Sequence, residues 1–182
     1  MKIGIVVGSI REGRFGESVA AWVKSVADAR GDADYEIIDL KTFDVPLLTA
    51  SVLPGMANKK YDSPQVTAWS QAIDACDAYV FVTPEYNHGV PGAFKNAFDL
   101  LGAEWMGKTV GFVGYGAEGG VRAVEQWRPI VANFSMVGVR QQLAISIFTE
   151  AGENGYQPSD RRKDELNVLL DQLLGMAEKV AA

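Results

Sequence analysis

The stretch "KIGIVVGSIREGRFGESVAAWV", residues 2–23, contains the transition on which the fold depends. Its first part is continuously apolar up to Gly8, as in a strand that is covered on both faces. Its second part, from Glu17 onward, has the spacing of an amphipathic helix. A buried strand followed by a helix is the repeating unit of a parallel α/β sheet.

The same alternation of strand and helix continues along the rest of the chain. Apolar or β-rich runs predict five strands, at residues 2–8, 35–40, 78–84, 109–116 and 138–148. Helical patterns predict five helices, at residues 17–29, 66–76, 92–101, 121–134 and 161–180. This order predicts a single doubly wound α/β domain over residues 1–182, with a five-stranded parallel sheet and right-handed crossovers.

Composition limits the classes of partner and compartment. Of the 182 residues, 48% are hydrophobic, and the formal net charge is −6, so the overall field repels polyanions. We therefore expect no nucleic acid and no membrane insertion, and any anion must be bound by a local site. Cys76 is the single cysteine, which excludes an internal disulfide and a zinc site with several thiolates. With no signal peptide or membrane span in the sequence, we expect a cytoplasmic protein.

One connection, "KTFDVPLLTASVLPGMANKKYDS" at residues 41–63, is longer than connections in compact domains usually are. It has no sustained hydrophobic period, yet it contains several apolar side chains. It is either an irregular segment that packs on its own subunit, or a cover for a site or for a partner subunit.

The loop between the first strand and the first helix has the features of an anion site. The first N–H groups of a helix lack partners within the helix and lie at the positive end of its dipole. Ser9 adds a hydroxyl, and Arg11 or Arg14 adds a guanidinium for phosphate oxygens. The loop lacks the lysine and hydroxyl of the G-x-x-x-x-G-K-[ST] motif, which disfavours nucleotide hydrolysis. An ordinary turn with solvated arginines is the equal alternative for this loop alone.

A second loop, in "TPEYNHGVPGAFKNAFDLL" at residues 83–101, follows the third strand. Its prolines, asparagine and glycine prevent an early helix and require a shaped loop before Gly92. Open parallel sheets bind ligands beyond the carboxyl ends of their strands, where the strand order reverses. In the order 2-1-3-4-5 this point lies between strands one and three, so the two loops face one crevice. The first loop is then placed to hold a phosphate, and the second to border a flat heterocycle.

Three segments resemble, in order and spacing, the NAD(P)H-dependent FMN reductase family of flavodoxin-like quinone, azo and flavin reductases. They are "GSIREGR" at residues 8–14, "PEYNHGVPGAFKNAFD" at residues 84–99 and "GFVGYGAEGGVRAVEQWRPIV" at residues 111–131. The resemblance covers most of the chain, and the second segment is its most specific part. It implies a flavodoxin-like fold with sheet order 2-1-3-4-5 and helices on both faces.

The resemblance also implies roles for individual positions. The residues that it places at the FMN phosphate are Ser9, Arg11 and the backbone of Phe15, Gly16, Glu17 and Ser18. Those that it places beside the isoalloxazine ring are Pro84, Glu85, Tyr86 and Asn87 on one side, and Tyr115, Gly116 and Ala117 on the other. Family members often have asparagine or another polar residue near position 16, so here a backbone N–H replaces that donor.

The implied activity is hydride transfer from NAD(P)H to FMN, followed by reduction of a small-molecule acceptor, either a quinone, an azo compound or a flavin. The chemistry takes place at flavin N5 and needs no catalytic side chain and no metal. The alternatives are a non-enzymatic FMN electron carrier and a binding module that senses flavin or redox state. Both alternatives need the same two loops.

Relatives of this kind are typically dimers or tetramers, so a homodimer or homotetramer is implied, with the helix of Trp127 or the helix after Gly92 at the seam. The only histidine, His88, fits the edge of the site or an interface better than a catalytic acid or base. The sequence "GYGAEG" at residues 114–119 matches the dinucleotide motif G-x-G-x-x-G. It follows the fourth strand, however, and no acidic residue comes about 20 residues later, which disfavours a dinucleotide site.

Overall fold

The computed structural model describes residues 1–181. Its central sheet has five parallel strands in the order β2-β1-β3-β4-β5. They are β1 (Lys2–Val7), β2 (Asp34–Asp39), β3 (Ala78–Pro84), β4 (Thr109–Gly116) and β5 (Val137–Ser146). The predicted fold class, strand order and pairing are confirmed.

Helices cover both faces of this sheet, as predicted. They are α1 (Gly16–Asp28), α2 (Pro64–Asp74), α3 (Gly92–Asp99), α4 (Val121–Ala132), α5 (Ile147–Glu150) and α6 (Arg162–Ala181). The apolar sides of α2, α3 and α4 form one core, around Trp69, Phe98 and Trp127. Those of α1 and α6 form a second core on the opposite face, around Val19 and Leu169.

The central strands β3 and β4 are buried at every residue, which explains their continuous apolar sequences. Because all five strands are parallel, the carboxyl ends of β1, β3 and β4 lie at the same edge of the sheet. The three loops that the sequence singled out leave the sheet at this edge. The fold therefore assembles them into one candidate site.

The long connection contains two short 3₁₀ turns, Leu40–Phe43 and Pro54–Met56. Part of it packs on its own subunit: the Phe43 ring lies 5.2 Å from that of Trp69, and the Asn96 amide donates to the Pro46 carbonyl at 2.9 Å. Other large apolar side chains of the same segment are exposed, and these are Leu47, Leu48, Val52, Leu53 and Met56. One side of the connection thus packs against the core, and its solvent-facing side is apolar.

Glu104 holds the end of this connection in place through hydrogen bonds. Its fully buried carboxylate accepts hydrogen bonds from the Tyr61 hydroxyl at 2.8 Å, the Ser70 hydroxyl at 2.6 Å and the Gly102 N–H at 3.0 Å. A buried carboxylate needs such donors, since burying it without partners is costly. Tyr61 is thereby fixed against α2 and the segment after α3.

The sequence did not predict a short hairpin after β5, formed by β6 (Ala151–Gly152) and β7 (Gly155–Tyr156). The strand predicted to continue to residue 148 ends at Ser146, because the Ser146 hydroxyl accepts from the Phe148 N–H at 3.3 Å and begins α5. The hairpin then turns back towards α1. Its Tyr156 N–H donates to the Ser18 hydroxyl at 2.9 Å.

Trp127 belongs to the interior of this chain. Its indole N–H donates to the Thr83 hydroxyl at 3.1 Å, and its ring lies 4.7 Å from that of Phe94. Phe94 and Phe98 of α3 are also fully buried. These aromatic side chains are therefore not available to a partner subunit, and the expected seam cannot use them.

Cys76 is a free, buried thiol. Burial raises the pKa of Cys76 to about 11, so the thiolate, which is the reactive form, is disfavoured at neutral pH. Among residues 1–181, no helix combines the length and apolarity that crossing a bilayer requires.

Candidate active site

The first loop leaves the sheet at Gly8, where the chain passes close to α3. The Gly8 N–H donates to the Val82 carbonyl at 3.0 Å, which extends the pairing of β1 with β3. A Cβ on Gly8 would overlap the ring of Phe94. Glycine at this position therefore lets the loop and α3 come together at the base of the crevice.

A hydrogen bond between side chains joins the first loop to the loop after β3. The hydroxyl oxygens of Ser9 and Tyr86 lie 2.7 Å apart, and either group can donate. Ser9 is buried, with 1% of its surface exposed. The exposed Arg11 guanidinium lies 5.8 Å from the centre of the Tyr86 ring. The predicted phosphate loop and the predicted ring loop thus meet at one point.

The loop after β3 is a tight hairpin turn. Tyr86 and Gly89 exchange two backbone hydrogen bonds of 3.1 Å. Between them, Asn87 and His88 have φ angles of 48° and 72°, as in a type I′ turn. Residues other than glycine rarely adopt such angles, and each instance costs of order 1 to 3 kcal/mol. Gln126 supports the turn from α4, where its amide donates to the His88 carbonyl at 3.0 Å.

The Glu85 carboxylate is engaged by the start of α4. It accepts from the Arg122 N–H at 3.0 Å and forms an ion pair with the Arg122 guanidinium. Burial alone would raise the pKa of Glu85, but the hydrogen bonds from Arg122 outweigh burial and hold the pKa below its usual range. The Glu85 N–H donates to the Tyr115 carbonyl at 3.1 Å. Glu85 therefore fixes the loop after β3 against the loop after β4.

The glycines of "GYGAEG" and its neighbour Gly120 allow close packing inside the protein. Gly119 and Gly120 both have a φ of 70°, which favours glycine. A Cβ on Gly119 would lie 2.8 Å from Cβ of Ala144, and one on Gly120 would lie 2.6 Å from the Tyr115 nitrogen. Close packing within the chain therefore accounts for the G-x-G-x-x-G spacing of these glycines, and no bound dinucleotide is needed to explain it. Gly116 lies close to the loop after β3, since a Cβ on Gly116 would lie 3.5 Å from Cβ of Glu85.

The start of α1 offers backbone donors. The N–H groups of Gly16, Glu17 and Ser18 occupy the first turn, where no acceptor exists within the helix, and the Phe15 side chain makes no capping bond. The Ser18 hydroxyl is already used, since it donates to the Phe15 carbonyl at 2.8 Å and accepts from Tyr156. The Glu17 side chain is exposed. The groups that this segment can offer to a ligand are therefore its backbone N–H groups. These are the donors that the sequence predicted for an anion.

Arg14 lies buried beside this helix start. Its guanidinium forms an ion pair with Asp39 at the end of β2, and Nη2 lies 3.7 Å from the Glu17 carboxylate. The side chain is only 7% exposed, and its Nε and Nη1 atoms have no hydrogen-bond partner within the described chain. Sequence reasoning named Arg14 only as an alternative to Arg11. The contact with Asp39 depends on how β2 lies next to β1, which no local pattern reveals.

Tyr115 reaches the same helix start from β4. Its ring packs edge-on against that of Phe15, with centroids 5.6 Å apart, and only 5% of the residue is exposed. Its buried hydroxyl also lacks a partner among residues 1–181. Burial raises the pKa of Tyr115, which keeps the hydroxyl protonated and able to donate.

These groups fit a phosphate. A phosphate dianion only accepts hydrogen bonds, and the start of α1 gathers backbone N–H groups, two unpartnered Arg14 nitrogens and the Tyr115 hydroxyl. The neighbouring hairpin supplies a shaped surface for a flat ring. One supporting element was missed by the sequence reasoning, the β6–β7 hairpin that holds Ser18. The Asn-Gly dipeptide at residues 154–155 is a hairpin signal that could have revealed it.

Comparison with known proteins identifies the family of this chain. The family model described as NADPH-dependent FMN reductase matches residues 1–150. A Nectria protein named NAD(P)H-dependent FMN reductase ntnL is 40% identical over 129 residues, which are 69% of this chain and 64% of that relative. A 2-hydroxy-1,4-benzoquinone reductase from Burkholderia is 32% identical over 151 residues, which are 78% of this chain and 75% of that relative.

The fold is likewise shared with a solved flavoenzyme. The structure of FerB, an NAD(P)H:(acceptor) oxidoreductase from Paracoccus denitrificans, has a TM-score of 0.78 and 22% identity, covering 98% of this chain and 97% of that one. The resemblance seen in the three loop segments is therefore confirmed. This chain belongs to the NADPH-dependent FMN reductase family, whose members are FMN-dependent oxidoreductases with NAD(P)H as electron donor.

Proposed function

We propose that this chain binds FMN in the crevice between the first loop and the Tyr86 hairpin, and transfers electrons from NAD(P)H to a small-molecule acceptor. The observation that carries the proposal is the cluster of buried, unpartnered donors at the start of α1, next to a strained hairpin. When bound, the flavin supplies the N5 atom that accepts a hydride. The protein contributes binding, orientation and exclusion of water.

The first loop holds the phosphate end in this proposal. The contributing groups are the Ser9 hydroxyl, the Arg11 guanidinium and the backbone of Phe15, Gly16, Glu17 and Ser18. Arg11 is exposed, so rotation of its side chain can bring the guanidinium from the Tyr86 ring to a phosphate oxygen. Its planar guanidinium suits two phosphate oxygens at once.

The loops after β3 and β4 border the ring. The residues that we place there are Pro84, Glu85, Tyr86, Asn87, Tyr115 and Gly116. Since the Glu85 carboxylate is engaged by Arg122, Glu85 contributes its backbone rather than its charge. The fixed turn at Asn87 keeps backbone groups in place before the ligand arrives, which lowers the entropic cost of binding.

The acceptor that we propose is a quinone, an azo compound or a flavin. The relative from Burkholderia is named for a benzoquinone, and a solved structure with a TM-score of 0.54 to this chain is named azoreductase AzrA. Hydride transfer to a flavin removes no proton from a substrate carbon, so the exposed His88 need not act as a base. The free, buried Cys76 is in keeping with a reducing compartment, and we propose the cytoplasm.

We expect the protein to bind FMN at least about tenfold more tightly than riboflavin, because riboflavin lacks the phosphate that charge-assisted hydrogen bonds recognise. We also expect NADPH, added without oxygen, to bleach the bound flavin rapidly. Fluorescence-quench titrations measure the two affinities, and stopped-flow absorbance measures the bleaching.

The outcomes separate the candidate functions. Equal affinity for FMN and riboflavin would contradict the assignment of the first loop to phosphate. Tight FMN binding without rapid bleaching by NADPH or NADH would favour the electron carrier or the sensing module over the enzyme.

We further propose that the protein is a homodimer or homotetramer. The support is the outer side of the long connection, where Leu47, Val52, Leu53 and Met56 are exposed beside a cavity of about 410 Å³. Leu47, Val52 and Met56 line this cavity, and a large apolar patch is uncommon on the surface of a monomer.

Light scattering at micromolar concentration is expected to give at least about twice the 19.7 kDa mass of one chain. Leu53→Asp, at a side chain that is 67% exposed, is expected to shift the mass towards one chain, since it places a charge in the proposed interface. Val168→Asp is the matched control, because Val168 is an exposed apolar residue on α6. A mass of one chain for the parent protein would refute the oligomer, and equal effects of both variants would refute the location of the interface.

A further inference from the structure

Gly16 and the Tyr115 hydroxyl compete for the same space at the first residue of α1. A Cβ on Gly16 would overlap the Tyr115 hydroxyl oxygen and would lie 2.9 Å from Cζ of the ring. The ring cannot readily withdraw, because it is buried and packs against Phe15. A side chain at position 16 is therefore compatible with the fold only if the Tyr115 ring moves, and loss of the hydroxyl alone would remove only the closest of these contacts.

The Tyr115 hydroxyl in this space is buried at a cost in free energy. It is buried and has no partner in the part of the chain that the structure describes. A buried hydroxyl without a hydrogen bond is destabilising, and phenylalanine would fill the same volume without that penalty. The hydroxyl lies beside Gly16, in the first turn of α1, where the backbone N–H groups have no acceptor within the helix.

Two other unpartnered donors lie near the same helix start, the Nε and Nη1 atoms of Arg14. Buried donors without partners thus come from two residues, Tyr115 and Arg14, and the first turn of α1 adds its backbone donors. The chemistry that satisfies them is an anion with several oxygens. Such a ligand can accept hydrogen bonds from all of these groups.

We propose that the Tyr115 hydroxyl donates a hydrogen bond to the phosphate of the bound flavin nucleotide, through the opening that the absent side chain of Gly16 leaves. Tyr115 and Gly16 are then a matched pair that determines selection of FMN over riboflavin. The proposal rests on the proposed function, because it requires FMN in the crevice. It moves the contact of the Tyr115 side chain from the flavin ring to the phosphate end.

The test uses Tyr115→Phe, which removes the hydroxyl alone. The dissociation constant for FMN is expected to rise about tenfold, as for loss of one hydrogen bond to a charged group, while that for riboflavin stays unchanged. Without flavin, the melting temperature of this variant is expected to equal or exceed that of the parent, because an unpartnered buried hydroxyl is removed. A merely structural tyrosine would instead lower the melting temperature and weaken both flavins.

Tyr156→Phe is the matched control. The Tyr156 hydroxyl is also buried without a partner in the described chain, and its ring also packs against Phe15. The three atoms nearest to a Cβ on Gly16 all belong to Tyr115 and none to Tyr156. This variant is expected to leave the FMN-to-riboflavin affinity ratio unchanged.

Gly16→Ala tests the second half of the pair. It is expected to weaken FMN binding in the parent, and to weaken it less in the Tyr115→Phe background, where the closest of the overlapping atoms, the hydroxyl oxygen, is gone. Equal FMN affinity of Tyr115→Phe and the parent, or equal loss of FMN and riboflavin, would overturn the inference and leave the proposed function standing. A parent protein that binds no FMN would overturn both.

Discussion

Replacing Arg162 by methionine is expected to lower the free energy of unfolding by about 3 to 5 kcal/mol, the range for breaking a buried ion pair by removing one partner. The Arg162 and Glu150 side chains are only 7% and 6% exposed. Nε of Arg162 lies 2.9 Å from one Glu150 oxygen, and Nη2 lies 2.7 Å from the other. Methionine preserves much of the apolar volume but leaves a buried carboxylate without its counter-charge.

The neighbouring Arg161 provides the control for this prediction. Its side chain is 70% exposed and pairs with Glu165 only at 3.4 Å. Arg161→Met is expected to change stability by no more than about 0.5 kcal/mol, as surface substitutions usually do. Urea unfolding of both variants measures the difference. Equal destabilisation by the two substitutions would contradict the importance of the buried pair.

The same pair predicts how stability depends on pH. Burial alone would raise the pKa of Glu150, but hydrogen bonds from Arg162 and Ser159 outweigh it and hold the pKa below its ordinary value of 4.5. The stabilisation is therefore complete above that ordinary value and is lost as the pH falls through the lower, folded-state pKa. In Arg162→Met the carboxylate loses its main donor, so the difference from the parent is expected to shrink in acid.

The pair also connects α6 to the candidate site. Arg162 donates to the Ala144 carbonyl at 2.7 Å, so it ties α6 to β5 as well as to Glu150. Glu150 precedes the β6–β7 hairpin, and the Gln157 N–H after that hairpin donates to the Glu150 carbonyl at 2.8 Å. The hairpin in turn holds the Ser18 hydroxyl at the start of α1. Arg162→Met is accordingly expected to loosen the support beneath the predicted phosphate loop.

The sequence predicted the sheet well because its central strands carry an unambiguous signal. A strand covered on both faces must be apolar throughout, and β3 and β4 were predicted at the bounds that the structure has. The strand order came from the family resemblance and not from the pattern. The end of β5 was placed two residues too late, because the cap at Ser146 competes with the continuing apolar run.

The site was predictable only in part, for a physical reason. Loop chemistry is local, so the turn residues and free helix N–H groups could be read from the sequence. Contacts between loops are not local: Arg14 with Asp39, Glu85 with Arg122, and the Tyr115 hydroxyl against Gly16 each join different βα units. Trp127 shows the same limit, since a helical apolar stripe fits a core as well as an interface.

Replacing Arg11 by alanine is expected to weaken FMN binding by about 1.5 to 3 kcal/mol, the range for a hydrogen bond to a charged group, and to leave the fold intact. Arg11 is exposed, and its guanidinium lies over the Tyr86 ring, while its backbone N–H donates a long hydrogen bond to the Ser9 hydroxyl. Arg11→Lys is expected to recover part of the affinity, because an ammonium keeps the charge but lacks the planar guanidinium geometry. Riboflavin binding is expected to stay unchanged in both variants.

Arg140→Ala is the matched control, since it removes the same charge from an exposed position on the edge strand β5. A general electrostatic effect would weaken FMN equally in Arg11→Ala and Arg140→Ala, whereas a specific phosphate contact affects only the first. The phosphate lies at the end of the ribityl chain opposite N5, so Arg11→Ala saturated with FMN is expected to turn over almost as fast as the parent. Normal FMN affinity with a large loss of rate would instead place Arg11 beside the substrate, and would reverse the orientation of the flavin in the crevice.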